Sequence, residues 1–151
     1  MEKDLKFRNC DGSKEDFALL QTIHRTTMES PIIQTMGEWD ERFQTAKLMS
    51  RYYESNKTLK FLMDGDREIG TMNCWMRNFD DGEFAFIEQF YILPEFQGTG
   101  LGSRVLNAHL KDVPTRLSVL NGDVNRMDFY RRRGFSAYRE EDVRTYFEWL
   151  P

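Results

Sequence analysis

From residue 83 to residue 93 the chain reads Glu-Phe-Ala-Phe-Ile-Glu-Gln-Phe-Tyr-Ile-Leu, and few arrangements can cover such a segment. Phe84 and Phe86 fall on one face of an extended chain, Ala85 and Ile87 on the other. A strand that needs cover on both faces belongs inside a sheet, with helices packed above and below. Pro94 ends it, because proline cannot donate to a ladder. Glu88 lies within this strand, where a carboxylate is costly unless it is paired or used.

The flanking periodicities supply the rest of that sheet. Residues 5–8 alternate and predict a short strand. Ser13, with Asp16 three later, predicts a helix start, followed by a stripe of Phe17, Leu20, Ile23 and Met28 that Ser30-Pro31 interrupts. A second helix fits residues 40–53, with Asp40 as N-cap and Phe43, Ala46 and Met49 on its packed face. Residues 58–63 and 68–77 form a hairpin about Asp64-Gly65-Asp66, and a second turn at residues 78–82 leads into the central strand. A helix over residues 99–113, a strand at 116–120, a helix over 125–133 closed by Gly134, and strands at 135–139 and 143–149 complete the chain. The order βααβββαβαββ predicts a mixed α/β (α+β) fold: a mixed sheet with helices on both faces.

At 151 residues, with 40% apolar and 30% charged side chains, the expectation is a single domain, 1–151, with an ordinary core. The 21 basic and 25 acidic residues leave a charge of −4, which argues against a nucleic-acid partner. No apolar run approaches the ~20 residues of a membrane span. Met1-Glu2-Lys3-Asp4 opens no apolar leader, and Cys10 and Cys74 read as free thiols, so the expected compartment is the cytoplasm. Two histidines and two scattered cysteines offer no metal-ligand spacing.

The chemistry lies after the central strand, in Ile92-Leu93-Pro94-Glu95-Phe96-Gln97-Gly98-Thr99-Gly100-Leu101-Gly102-Ser103. A buried strand feeds a glycine-rich turn that opens a helix. The first amide groups of a helix have no internal partner, and the helix dipole makes them an anion site. Glycines let a phosphate approach. A Walker loop would need a Lys after the last glycine, and a dinucleotide fingerprint would need Gly-x-Gly-x-x-Gly; both fail on spacing.

Gln97, Gly100 and Gly102 in the pattern Gln-x-x-Gly-x-Gly resemble the acetyl-CoA signature of the GNAT superfamily of N-acetyltransferases. The stretch from Asn125 to Phe135, ending Phe129-Tyr130-Arg131-Arg132-Arg133-Gly134-Phe135, is similar to the family's second signature and follows in the right order. The resemblance implies a mostly antiparallel sheet of about seven strands, with a V-shaped splay between two parallel central strands. It implies acetyl-CoA as co-substrate, no metal, and a small-molecule or peptide amine as acceptor, with no nucleic acid and no membrane; a homodimer is compatible with it. Ile92 and Leu93 would offer backbone to the pantetheine arm, and Gln97, Gly98, Thr99, Gly100, Leu101, Gly102 and Ser103 would wrap the pyrophosphate. The family's asparagine position holds Asp123 here, so Asn121 or Asn125 is left to contact pantetheine. Tyr130 matches the tyrosine that donates a proton to the CoA sulfur, a role compatible with packing under Phe135. Glu88 matches a base-like glutamate of some members. An ion pair with an Arg of a neighbouring strand and a solvent-facing slot remain open for it. Instead of an enzyme, the same loop would serve a non-catalytic or regulatory acyl-CoA-binding domain.

The acceptor is less legible. In the fold implied, its wall includes the loop from Ser30 to Asp40, with Met28, Met36 and Trp39 as candidate lining. Glu29, Glu38, Asp40 and Glu41 make that loop acidic, which suits a cationic amine. His24 reads as a surface residue, His109 as packing, and Arg131-Arg132-Arg133 as a solvated helix end, with contact to the 3′-phosphate of CoA as the alternative.

Overall fold

A computed structural model describes residues 4–151. The sheet has seven strands in the order β1-β2-β3-β4-β5-β7-β6. These are β1 (Lys6–Asn9), β2 (Leu59–Asp64), β3 (Arg67–Phe79), β4 (Gly82–Ile92), β5 (Thr115–Leu120), β6 (Ser136–Glu140) and β7 (Arg144–Trp149). Only β4 and β5 run parallel; every other pair is antiparallel. Four helices cover it: α1 (Lys14–Met36), α2 (Glu41–Ser55), α3 (Leu101–His109) and α4 (Val124–Arg132). Leu20 and Ile23 of α1 and Leu48 and Tyr52 of α2 pack on Leu59 and Phe61. Val105 and Leu106 of α3 and Met127 and Tyr130 of α4 pack with Leu62, Ile87 and Phe147. The adjacent residues Phe61 and Leu62 thus serve opposite faces, as a strand's alternation requires. Phe84, Ala85, Phe86 and Ile87 are all buried, as the two-sided strand predicts.

Three expectations need correction. The helix expected over residues 99–113 ends at His109. Helix α1 does not break at Ser30-Pro31 but runs through Pro31 to Met36, where Gly37 in the left-handed region caps it. Pro31 withholds one N–H from the carbonyl of Thr27, which costs helix stability. Burying Met28 and Ile32 against Leu120 offsets that loss. The packed face of α2 is Gln44, Leu48 and Tyr52, spaced by four, while Phe43 and Met49 are exposed. Tyr52 is anchored by donating to the Ser13 carbonyl at 2.7 Å, a tertiary contact that no helical periodicity announces.

The feature that positions the site is a bulge in β4. Thr71 pairs with Tyr91 and Asn73 with Glu88, so Met72 alone spans two residues of β4. Gln89 there adopts φ 53°, a left-handed conformation that costs a glutamine energy. Two fully buried polar residues of β3 hold it. Thr71 donates to the Gln89 carbonyl at 2.6 Å, and Asn73 donates to the Gln89 side-chain oxygen at 3.3 Å. Asn73 is itself fixed by Thr58, which donates to it at 2.6 Å, and by the Ser55 carbonyl at 3.1 Å. Beyond the bulge β4 leaves β5: the two pair only at Ala85 with Thr115 and Phe86 with Arg116. Asn73→Ala would strand several buried groups, each worth about 1–3 kcal/mol. We expect it to lower Tm by several degrees, at ~2–4 °C per kcal/mol for a domain of this size. An unchanged thermal melt would mean that the bulge stands without this network.

Candidate active site

Two cavities meet at the splay. The first, about 400 Å³, runs from the glycine-rich loop along α4. Ile92, Gln97, Gly98, Gly100, Gly102, Ser103, Asn125 and Tyr130 of the expected set line it. Gly98 and Gly100 both have positive φ, and space for a Cβ is open at each, so backbone conformation rather than crowding requires glycine there. Gly100 is the N-cap of α3 and supplies no side-chain cap, which leaves the first amides of that helix for a ligand. Ser103 is held by the Arg133 guanidinium, which stacks on Phe129 at 3.7 Å. Arg133 therefore places a cation at the same loop and is not a solvated helix end; in sequence it was one of three equivalent arginines.

Other expected contacts fall elsewhere. Thr99 turns its hydroxyl to the Phe96 carbonyl, while Leu93 and Leu101 pack into the two cores. Asn121 lies outside the cavity, donating to the carbonyls of Glu141 and Asp142 and accepting from Thr145. Of the two candidate asparagines only Asn125 lines the cavity. Asp123, where the family pattern has asparagine, caps α4 by accepting from the Arg126 amide and pairs with the Arg126 guanidinium at 3.0 Å.

Arg126 is the residue that sequence reasoning missed. It donates to the Phe90 carbonyl at 2.7 Å, inside the splay. Its cation also lies close enough to Tyr130 to act on the phenol. The next carbonyl facing the splay, that of Ile92, accepts from the Gln97 side chain at 2.7 Å. Tyr130 is buried against Phe129 and Phe135, so both packing and exposure to the cavity hold at once. Burial pushes its phenol above the ordinary value, and the Arg126 cation opposes that shift. An arginine cannot accept, so the Tyr130 proton remains available for another partner.

The second cavity, about 270 Å³, opens between α1, α2 and the sheet. Phe90, Arg126 and Tyr130 line both cavities and form their junction. Glu88 lies on this second side. Its ion-pair partner is Arg51 of α2 at 3.2 Å, not an arginine of a neighbouring strand. The other carboxylate oxygen is buried with no hydrogen-bond partner among the described residues. Burial raises the Glu88 carboxyl above the usual carboxylate range, although Arg51, Arg144, Lys47 and Arg77 all pull it down. Met28 and Met36 line this cavity. Trp39 stands behind it against His24, at 5.7 Å between rings. His24 is a buried wall residue rather than a surface one, and burial with the Lys47 and Arg144 charges depresses it to about 4, so it is neutral at pH 7. The acidic loop residues do not face the cavity chemistry: Glu29 and Glu41 pair with Arg25, Asp40 caps α2, and Glu38 is exposed outside the cavity lining. His109 packs edge-on to Phe7.

A family model described as the acetyltransferase (GNAT) family matches residues 20–135. The chain belongs to the GNAT family. Among curated proteins it is similar to the S-alkylcysteine N-acetyltransferase of Bacillus subtilis (strain 168), 27% identical over 124 residues, covering 74% of this chain and 69% of the relative. A Pyrococcus horikoshii OT3 structure matches with TM-score 0.74 at 16% identity, covering 98% and 99% of the two chains. The PaiA N-acetyltransferase of Thermoplasma acidophilum in complex with coenzyme A matches with TM-score 0.65 at 17% identity, covering 99% and 100%. The mixed, mostly antiparallel sheet with one parallel pair is thus the GNAT fold. Among the described residues no group of side chains is arranged to hold a metal ion, and no helix is long and apolar enough to cross a membrane.

Proposed function

We propose that this GNAT protein transfers the acetyl group of acetyl-CoA to a primary amine by direct attack within a ternary complex. The observation that carries this reading is the junction itself: a glycine-rich loop with uncapped helix amides feeds one cavity, a second cavity opens opposite, and Tyr130 stands where they meet. Acetyl-CoA supplies an acetyl group activated as a thioester, with a thiol as leaving group.

The chain's own residues would act as follows. The uncapped amides at the start of α3, with Arg133 beside them, take the pyrophosphate. The backbone of Phe90 and Ile92 in the splay takes pantetheine like an added strand and polarises the thioester carbonyl. Their carbonyls can accept from the pantetheine amides while bonded to Arg126 and Gln97, because a carbonyl oxygen accepts two hydrogen bonds, and the thioester carbonyl is left to a backbone N–H. An alkylamine arrives protonated, since its ordinary pKa is about 10.4, and must lose a proton before it attacks. Glu88, with an unpartnered buried oxygen, receives that proton. As the C–N bond forms and the C–S bond breaks, Tyr130 gives its proton to sulfur, and the nitrogen's second proton leaves through water, which resupplies the phenol.

Acetyl-CoA at a hundredfold excess over its Kd should add ~2.7 kcal/mol of stability and raise Tm by roughly 5–10 °C. Gly100→Asp should remove that shift, because it sets a carboxylate where a phosphate belongs. Aspartate tolerates positive φ better than most side chains, and no atom crowds the position, so the fold should survive. An undiminished shift in the variant would take the loop out of the site. Acetyl-CoA binding without thiol release across an amine panel would overturn the transfer itself.

A further inference from the structure

We infer that the second cavity takes an amine carrying its own carboxylate, a free α-amino acid with an apolar side chain, and not a polyamine; this rests on reading that cavity as the acceptor side. Five cations line it, Lys47, Arg51, Arg77, Arg126 and Arg144, against one carboxylate, Glu88. The chain as a whole carries −4, so this excess is local. The cations come from α2, β3, α4 and β7, and converge only in the folded protein.

Their pairing is uneven. Arg126 is matched by Asp123, and Arg51 by Glu88 and Glu54. Lys47, Arg77 and Arg144 have no ion pair among the described residues. Lys47 stands over the Phe43 ring at 5.9 Å, and the two arginines are held in place. Arg77 stacks over Phe79 and Phe86, each at 4.8 Å, and Arg144 donates to the Ser118 hydroxyl at 3.2 Å. A fixed guanidinium without a carboxylate is a ready partner for one, and two parallel N–H groups match its two oxygens. A cleft with this sign of charge attracts anions and repels cationic amines.

The remaining features narrow the class. Glu88 offers the only negative group, with one oxygen unpartnered, which suits the ammonium of the same molecule. Met28, Ile32 and Leu120 line the wall where an apolar side chain would lie. A volume of about 270 Å³ is below the ~300–1,000 Å³ of pockets for drug-sized ligands, so a single amino acid fits better than a peptide.

The test compares kcat/KM for L-methionine, L-methioninamide and spermidine with acetyl-CoA, following free thiol. A hydrogen bond to a charged group predicts roughly a 10- to 100-fold preference for the acid over its amide. That preference should shrink in Arg144→Gln and at high ionic strength, where exposed charges are screened. Equal or better turnover of the amide or of spermidine overturns the inference while leaving acetyl transfer standing. Should no amine be acetylated, the transfer reading fails, and calorimetry with N-acetyl-L-methionine and its amide decides the anion site separately. Tighter binding of the acid, lost in Arg144→Gln, sustains it; equal binding or none ends it.

Discussion

Tyr130→Phe is expected to lower kcat by about 10²- to 10⁴-fold while leaving acetyl-CoA affinity nearly unchanged. Phenylalanine keeps the ring that packs between Phe129 and Phe135 and removes only the hydroxyl. The hydroxyl is buried at the junction of the cavities beside the Arg126 cation, which cannot accept a hydrogen bond, so its proton is left for chemistry. Burial raises the phenol's pKa, so the acid form persists through neutral and mildly alkaline pH. The loss should therefore not depend on pH in that range. Full activity of the variant, measured by steady-state kinetics, would reduce Tyr130 to a packing residue.

Glu88→Gln should be slow at neutral pH and recover in part at high pH, where more of the amine is already neutral. In the wild type the ionised carboxylate is the competent form, so kcat/KM should rise with pH and flatten above a pKa higher than an ordinary carboxylate's. The charged groups facing Glu88 are Lys47 and Arg51 of α2, Arg77 of β3 and Arg144 of β7, and burial outweighs all four. The stability effect has the opposite sign to the rate effect. A carboxyl whose pKa is raised by folding favours the folded state while protonated. That contribution is lost as pH rises from the ordinary value through the raised one. Glutamine lacks the charge, so the melt should stay close to wild type. The Arg51 pair does not change this, because Arg51 is 45% exposed and such pairs are worth ~1 kcal/mol or less. A large loss of Tm without a pH-dependent rate defect would make Glu88 a structural ion-pair partner instead.

The acceptor side shows how a sequence pattern can mislead. Glu29, Asp40 and Glu41 cluster along the chain and suggest a cationic ligand, yet each is consumed by Arg25 or by a helix cap. Lys47, Arg77 and Arg144 are scattered along the chain and suggest nothing, yet the sheet and α2 bring them to one cavity.

What sequence alone determined is what depends on near neighbours. Alternation marked β4 as two-sided, because successive side chains must face opposite ways. Glycine spacing marked the loop before α3, because only glycine adopts those backbone angles freely and leaves the amides open. That Tyr130 lines the cavities was legible because its helix and closing glycine resemble one short continuous family pattern. The tertiary structure decided whatever depends on partners distant in the chain. Pro31 stays helical because Leu120 packs against its neighbours. Gln89 takes a strained conformation because Thr71 and Asn73 hold it from the next strand. Asn121 is drawn away by carbonyls twenty residues downstream, and Arg126 enters the splay because Phe90 presents a carbonyl there. Hydrogen bonds and charges act over a few ångströms in space, and the order of residues along a chain does not encode which of them the fold will bring that close.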